Sequence, residues 1–277
     1  MSVALPNGRL EVLSVPRVSK VRRVRLDAAR AFGQNCLRLV TPTNRFLVDP
    51  EECLEAFGLE DGDCLTAVVL QPKVSATGRS FALWCRGGYR IVTWGKPNSG
   101  DDSRSVQDQL RSVQQMQATE RAFAAILEDG SVVTWGDPGR GGDSSAVEDQ
   151  LKGVQQIQAT ASAFAAILED GSVVAWGDGS RGGSCEEVQD QLRSVQQIQA
   201  TGSAFAAILA DGSVVTWGDR YKGGDSSPVQ YQLRSVQQIQ ATHLAFAAIL
   251  ADRSVVAWGQ SQCGGDSSRV QDQLRSV

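Results

Sequence analysis

Trp94, Trp135, Trp176, Trp217 and Trp258 stand 41 residues apart, four times in succession. A fixed period near 40 residues marks a propeller, solenoid or array, because one unit leaves apolar surface that only a neighbouring unit can cover. Aligned on these tryptophans, four close copies start at Val113, Val154, Val195 and Val236. A divergent copy precedes them, from about Leu70 to Ser112, with "FALWCRGGYRIVTWG" in place of "FAAILEDGSVVTWG".

One copy reads as three strands and a short connector. "VQQIQAT" alternates apolar and polar residues, the pattern of a half-buried strand. "AFAAIL" is an apolar run of strand length, and "SVVTWG" is β-branched and aromatic. An Asp-Gly between them is a hairpin signal, with Gly130, Gly171 and Gly212 supplying the positive φ. Arg253 takes that place in the last copy, so its turn is expected to be strained or of another type. In "GGDSSxVQDQLRS" the glycines break the chain. Ser227-Pro228-Val229-Gln230, and Ser145 with Glu148, then have the form of capping boxes opening one or two helical turns. The repeated Phe and Trp read as packing between units.

Composition narrows the function classes. With 277 residues there is room for about two domains, and 42% hydrophobic residues suffice for a core. A net charge of −4 gives no reason to expect nucleic acid or an anionic membrane as partner. No apolar run approaches the roughly 20 residues of a membrane helix, and "MSVALPNGRLEVLSV" lacks the form of a signal peptide. The expectation is an intracellular protein, cytoplasmic or nuclear. Six scattered cysteines without a CxxC pair read as free thiols.

The repeated pattern A-x-x-x-D-G-S-V-V-x-W-G-D-x-x-x-G-G resembles the repeat of the regulator-of-chromosome-condensation family, across residues 70–277. The resemblance implies a mainly β, seven-bladed propeller, whereas this sequence carries five 41-residue units, at about 70–112, 113–153, 154–194, 195–235 and 236–277, expected as blades of a closed ring or an open arc. The family implies guanine-nucleotide exchange factors, chromatin binders or recruitment modules, and its repeats occur in HERC-type ubiquitin ligases. Uniform spacing leaves no room for the wedge loop that exchange factors use, and the frequent Gly-x-x-His pair is replaced by Thr-x-x-Ala-Phe.

Residues 1–69 are of a different kind. "LEVLSV" and "KVRRVRL" read as two strands and "CLRLVTPTNRFL" as a third, turning at Pro42–Asn44. "LEAFGLEDGDCLTAVVL" resembles the closing segment of ubiquitin-like domains, implying a small, degenerate β-grasp module whose helix must fit between Leu26 and Leu37. Arg17, Lys20, Arg22, Arg23 and Arg25 read as the solvated face of a strand or as an anionic contact patch.

Catalytic chemistry is not expected. His243, the single histidine, has no partner for a triad or metal site, and no phosphate loop of the G-x-x-x-x-G-K type occurs. The reading is a non-catalytic scaffold or adaptor without cofactor or metal, binding protein partners. A ubiquitin-pathway protein, in a HERC-like role in ligation, or a small GTPase, for nucleotide exchange, is the alternative. An open arc would also self-associate. Positions that vary between near-identical copies mark what packing does not dictate, and loops on a rigid scaffold are where recognition concentrates. One such set is Glu120-Arg121, Ala161-Ser162, Gly202-Ser203 and His243-Leu244. The other contains Arg140, Arg181, Arg220, Tyr221 and Lys222, a mildly basic rim. Neutral variation in tolerant loops is the competing reading of both.

Overall fold

The computed structural model describes all residues except Met1, 6–9, 14, 17, 34–36, 48–50, 61, 87, 89–90 and 275–277. The protein is mainly β and divides into two compact units. One comprises residues 1–74, 83–91 and 111–113, the other residues 75–82, 92–110 and 114–277.

The first unit carries β1 (Ser2–Ala4), β2 (Leu10–Val12), α1 (Val21–Phe32), β3 (Leu37–Val40) and β4 (Cys64–Val69). These strands form a sheet ordered β2-β1-β4-β3, with β1 parallel to β4 and the other pairs antiparallel. The strand expected at "KVRRVRL" is instead the start of α1. Val21, Val24, Ala28 and Phe32 are buried at helical spacing and pack with Val3, Leu39 and Leu65 of the sheet. Gly33, at φ 65°, ends the helix in the left-handed region. Lys20 precedes the helix and pairs with Glu51, while Arg22 and Arg23 lie exposed on it, Arg23 bonded to Asp27 at 2.9 Å. Arg17 lies outside the described residues. The expected turn after β3 is present, with Asn44 N–H donating to the Thr41 carbonyl. Cys85 is disulfide-bonded, so the reading of six free thiols fails there, while Cys53, Cys64, Cys185 and Cys263 are free.

Each repeat forms one three-stranded sheet, with every pair antiparallel in the third to fifth repeats. The first has β5 (Pro72–Ala76), β6 (Ser80–Cys85) and β7 (Val92–Gly95), and the second β8 (Val113–Ala118), β9 (Ala122–Leu127) and β10 (Val132–Gly136). The third has β11 (Val154–Ala159), β12 (Ala163–Leu168) and β13 (Val173–Gly177). The fourth has β14 (Val195–Ala200), β15 (Ala204–Leu209) and β16 (Val214–Gly218), and the fifth β17 (Val236–Ala241), β18 (Ala245–Leu250) and β19 (Val255–Gly259).

The central strand explains the apolar run, because both of its faces are covered. In β15, Ala204, Ala206 and Ile208 face the following repeat and pack with Ile239, Phe246 and Trp258. Phe205 and Ala207 face the preceding repeat, against Ala163, Ala165 and Ile167. Phe205 also stacks on Trp217, its cross-strand partner, with centroids 5.1 Å apart. The outer strand does not alternate as expected. Val195 and Ile198 are both buried three residues apart, because a bulge between Val195 and Gln197 shifts the register against β15.

The hairpins have the expected turn, with Gly130 at φ 78° and its N–H bonded to the Leu127 carbonyl. Arg253 makes the same turn at φ 68°, so the strained alternative holds. The connectors are 3-10 turns, as at Ser145–Gln150 and Glu186–Gln191, or hydrogen-bonded turns, as after Ser227, and their capping differs from expectation. Asp143 and Asp225, not the serines, accept the free N–H groups, those of Ser145 and Ser227. Gln230 turns inward, bonding the Val214 carbonyl and the Ser226 hydroxyl.

Candidate interaction site

The threonine that ends each outer strand organises the loops around it. The Thr119, Thr160, Thr201 and Thr242 hydroxyls accept the backbone N–H three residues on, at 2.9–3.0 Å. The same hydroxyls donate to the carbonyls of Arg140, Arg181, Lys222 and Cys263, 21 residues further along, at 3.0–3.1 Å. The two variable loop sets, separate in sequence, are thereby tied together within every repeat. Sequence reading passed over these threonines because an unvarying residue looked like packing. Their recurrence immediately before each variable pair was the available signal.

The first loop set is also strung from repeat to repeat. Gly78 N–H donates to the Glu120 carbonyl, Glu120 to Ala161, Ala161 to Gly202 and Gly202 to His243, at 2.8–3.1 Å. His243 is exposed, and its imidazole covers the Cα of Gly202, where a side chain would meet the ring. A polar row of one backbone bond per repeat therefore runs beneath the variable side chains.

The rim is charge-balanced. Arg140 Nη1 donates to Glu120 Oε2 and to Ser162 Oγ of the next repeat, both at 2.9 Å. Arg121 faces Asp137 at 3.5 Å, Arg181 faces Asp178 at 3.6 Å and Lys222 faces Asp219 at 3.0 Å. Arg220 has a looser approach to Asp225, at 3.8 Å, and its guanidinium lies 5.4 Å from the Tyr221 ring. Two hydrogen bonds from Ser227, with the Arg220 charge beside it, hold the Asp225 carboxyl below the usual carboxylate range. Tyr221 is 74% exposed. Arg220, beside the exposed Tyr221, is thus the most accessible base of the second loop set, while Arg140 and Lys222 are engaged within the chain.

Among the described residues no group of three His, Cys, Asp or Glu side chains could hold a metal ion. Among the same residues no helix is long and apolar enough to cross a membrane. Burial pushes the Cys185 thiol up, which disfavours the thiolate that nucleophilic chemistry needs.

No protein-family model matches the chain, and no curated protein does. Among solved structures, Prp20p of Saccharomyces cerevisiae aligns over 89% of this chain and 71% of its own, at 14% identity and a TM-score of 0.46. The CRINKLY WD40 ectodomain of the Arabidopsis thaliana receptor kinase ACR4 aligns over 67% of this chain at 18% identity and a TM-score of 0.44. Human WBSCR16 aligns over 76%, at 18% identity and a TM-score of 0.44. The chain spans 62% and 66% of the length of the latter two. At these TM-scores the likeness carries no argument. What the registers and packing of this chain establish is a row of similar three-stranded units whose variable loops share one bonded rim.

Proposed function

We propose that the protein is a non-catalytic interaction scaffold that holds a protein partner on its loop rim, with Arg220 and Tyr221 as the anchor. The supporting observation is the threonine link, which ties the two variable loop sets together on one rim of the repeat array. Tyr and Arg are the residue types that most often dominate binding energy when a partner covers them. The test is affinity capture with mass spectrometry, comparing the intact chain with an Arg220→Ala/Tyr221→Ala variant. Selective loss of partners from the variant is the expected result. An unchanged partner set would overturn the reading.

A second reading concerns the first unit. Its sheet order, the parallel pairing of β1 with β4 and the packed helix support reading it as a degenerate ubiquitin-like β-grasp module. The repeats then support a ubiquitin-pathway protein as partner, in a recruiting role like that of HERC-type repeats. Capture of ubiquitin-conjugating enzymes by residues 1–74 would favour it. Acceleration of nucleotide release from a captured small GTPase would favour an exchange role instead.

A further inference from the structure

The junction between adjacent repeats is built the same way along the chain. The trailing face of one repeat, Ala163, Ala165 and Ile167 for example, receives Phe205, Val215 and Trp217 from the next. The tryptophan Nε1–H donates to a glycine carbonyl of the preceding repeat: Trp135 to Gly100, Trp176 to Gly141, Trp217 to Gly182 and Trp258 to Gly223, at 3.0–3.2 Å. The same glycine lies against the phenylalanine ring. A Cβ at Gly100, Gly141, Gly182 or Gly223 would come within 2.5–2.6 Å of Phe123, Phe164, Phe205 or Phe246. The fourth element is the single backbone bond of the rim row.

The two ends of the row carry the two halves of this junction unfilled. At the leading end Phe81, Val92 and Trp94 are 46%, 47% and 46% exposed. Their counterparts Phe205, Val215 and Trp217 are 0%, 7% and 5% exposed. Phe81 and Trp94 nevertheless hold the docking geometry, stacked with centroids 5.5 Å apart. At the trailing end Ile249 is 40% exposed, against 5% for its counterpart Ile208. Gly264 adopts the socket conformation at φ 101°, and the nearest atom to a Cβ there is Thr242 Cγ2 at 3.8 Å, with no ring over it. Among the described residues, no donor reaches the Gly264 carbonyl and no acceptor meets the His243 N–H. The Gly78 carbonyl, at the opposite end of the bonded row, likewise has no donor.

We propose that the chain associates with a second copy of itself head to tail, the Phe81–Trp94 face of one copy docking on the Ile249–Gly264 face of another. In that contact Phe81 covers Gly264, Trp94 Nε1–H donates to the Gly264 carbonyl, and His243 N–H donates to the Gly78 carbonyl. A second copy is the occupant because it carries the missing half of each feature in the same arrangement. The contact is heterologous, so it either closes into a ring of copies or continues as a filament. It uses the sheet faces and one backbone bond of the rim row, not the Arg220 and Tyr221 side chains, and stands independently of the partner proposed above.

The experiment is sedimentation velocity on the full chain across a wide concentration range, with Phe81→Glu, Ile249→Glu and their equimolar mixture. The intact chain is expected to form dimers or longer assemblies as concentration rises. Each variant alone lacks one half of every junction and stays monomeric. The mixture regains one intact junction per pair and stops at the heterodimer. An intact chain that stays monomeric, a variant that still self-associates, or a mixture that stays monomeric would each overturn the proposal. Should circular dichroism show either variant unfolded, Trp94→Lys and Ala247→Glu probe the same two faces. The Arg220→Ala/Tyr221→Ala variant is expected to associate like the intact chain, which separates this test from the partner test.

Discussion

Arg253 occupies a left-handed backbone position that glycine fills in the other close repeats, at φ 68° against 77–79° for Gly130, Gly171 and Gly212. A side chain there costs about 1–2 kcal/mol. Arg253→Gly is therefore expected to stabilise the chain by about 1 kcal/mol, read as a higher thermal midpoint. The same turns carry a pH signature. In Asp129, Asp170, Asp211 and Asp252 the neighbouring serine donates to Oδ1 from hydroxyl and N–H, and the hydroxyl bond leads in holding the carboxyl below its ordinary value. A carboxylate with a depressed folded pKa contributes stability above its unfolded value, near 3.9, and loses it as pH falls through the folded value. The thermal midpoint is expected to decline below about pH 4. Asn at all four positions, keeping a neutral acceptor, should flatten that decline. Arg104, bonded side chain to side chain, holds Asp102 at about 2, so its share persists to still lower pH.

At the scale of the element, burial rather than residue type decides what a repeat position contributes. Phe205 is fully enclosed between two sheets, and Phe205→Ala should cost about 3–5 kcal/mol through lost transfer energy and a cavity. Phe81→Ala, at the same phase of the repeat but with a half-open ring, should cost a small fraction of that in denaturant melts of the dilute chain. Equal costs would show that the first sheet is packed like the others. Trp176→Phe tests the polar part of the junction. It strands the Gly141 carbonyl and should cost about 1–3 kcal/mol. Local pattern was legible for the hairpins and central strands, whose signals lie within a few residues. It misled at α1, where Val21, Val24 and Leu26 suit a strand until Ala28 and Phe32 extend the buried stripe. It misled again at β14, where the bulge makes buried positions three apart.

For the molecule as a whole, stability should follow the number of junctions, since each repeat packs on its neighbours. Removing residues 236–277 deletes one junction and bares Ile208 in place of Ile249. The shortened chain is expected to keep its β circular dichroism per residue, to melt at a lower temperature, and still to associate through Phe81. Loss of the folded signal would show that the repeats fold only as a complete set.

The sequence by itself determined the period, the three-strand unit, the turns that need positive φ, and the aromatic residues that join neighbours. Each of these is written in spacing or in residue chemistry over a short span. Only the tertiary structure decided that the two variable loop sets form one rim, because a threonine hydroxyl closes a distance of 21 residues that no local pattern records. It also decided that Arg121 and Arg140 are paired, which depends on Asp137 and Glu120 being brought from the other loop set. The open ends belong to the same class. Repetition makes Phe81 and Phe205 read alike, and what separates them is whether a neighbouring sheet stands in front of the ring.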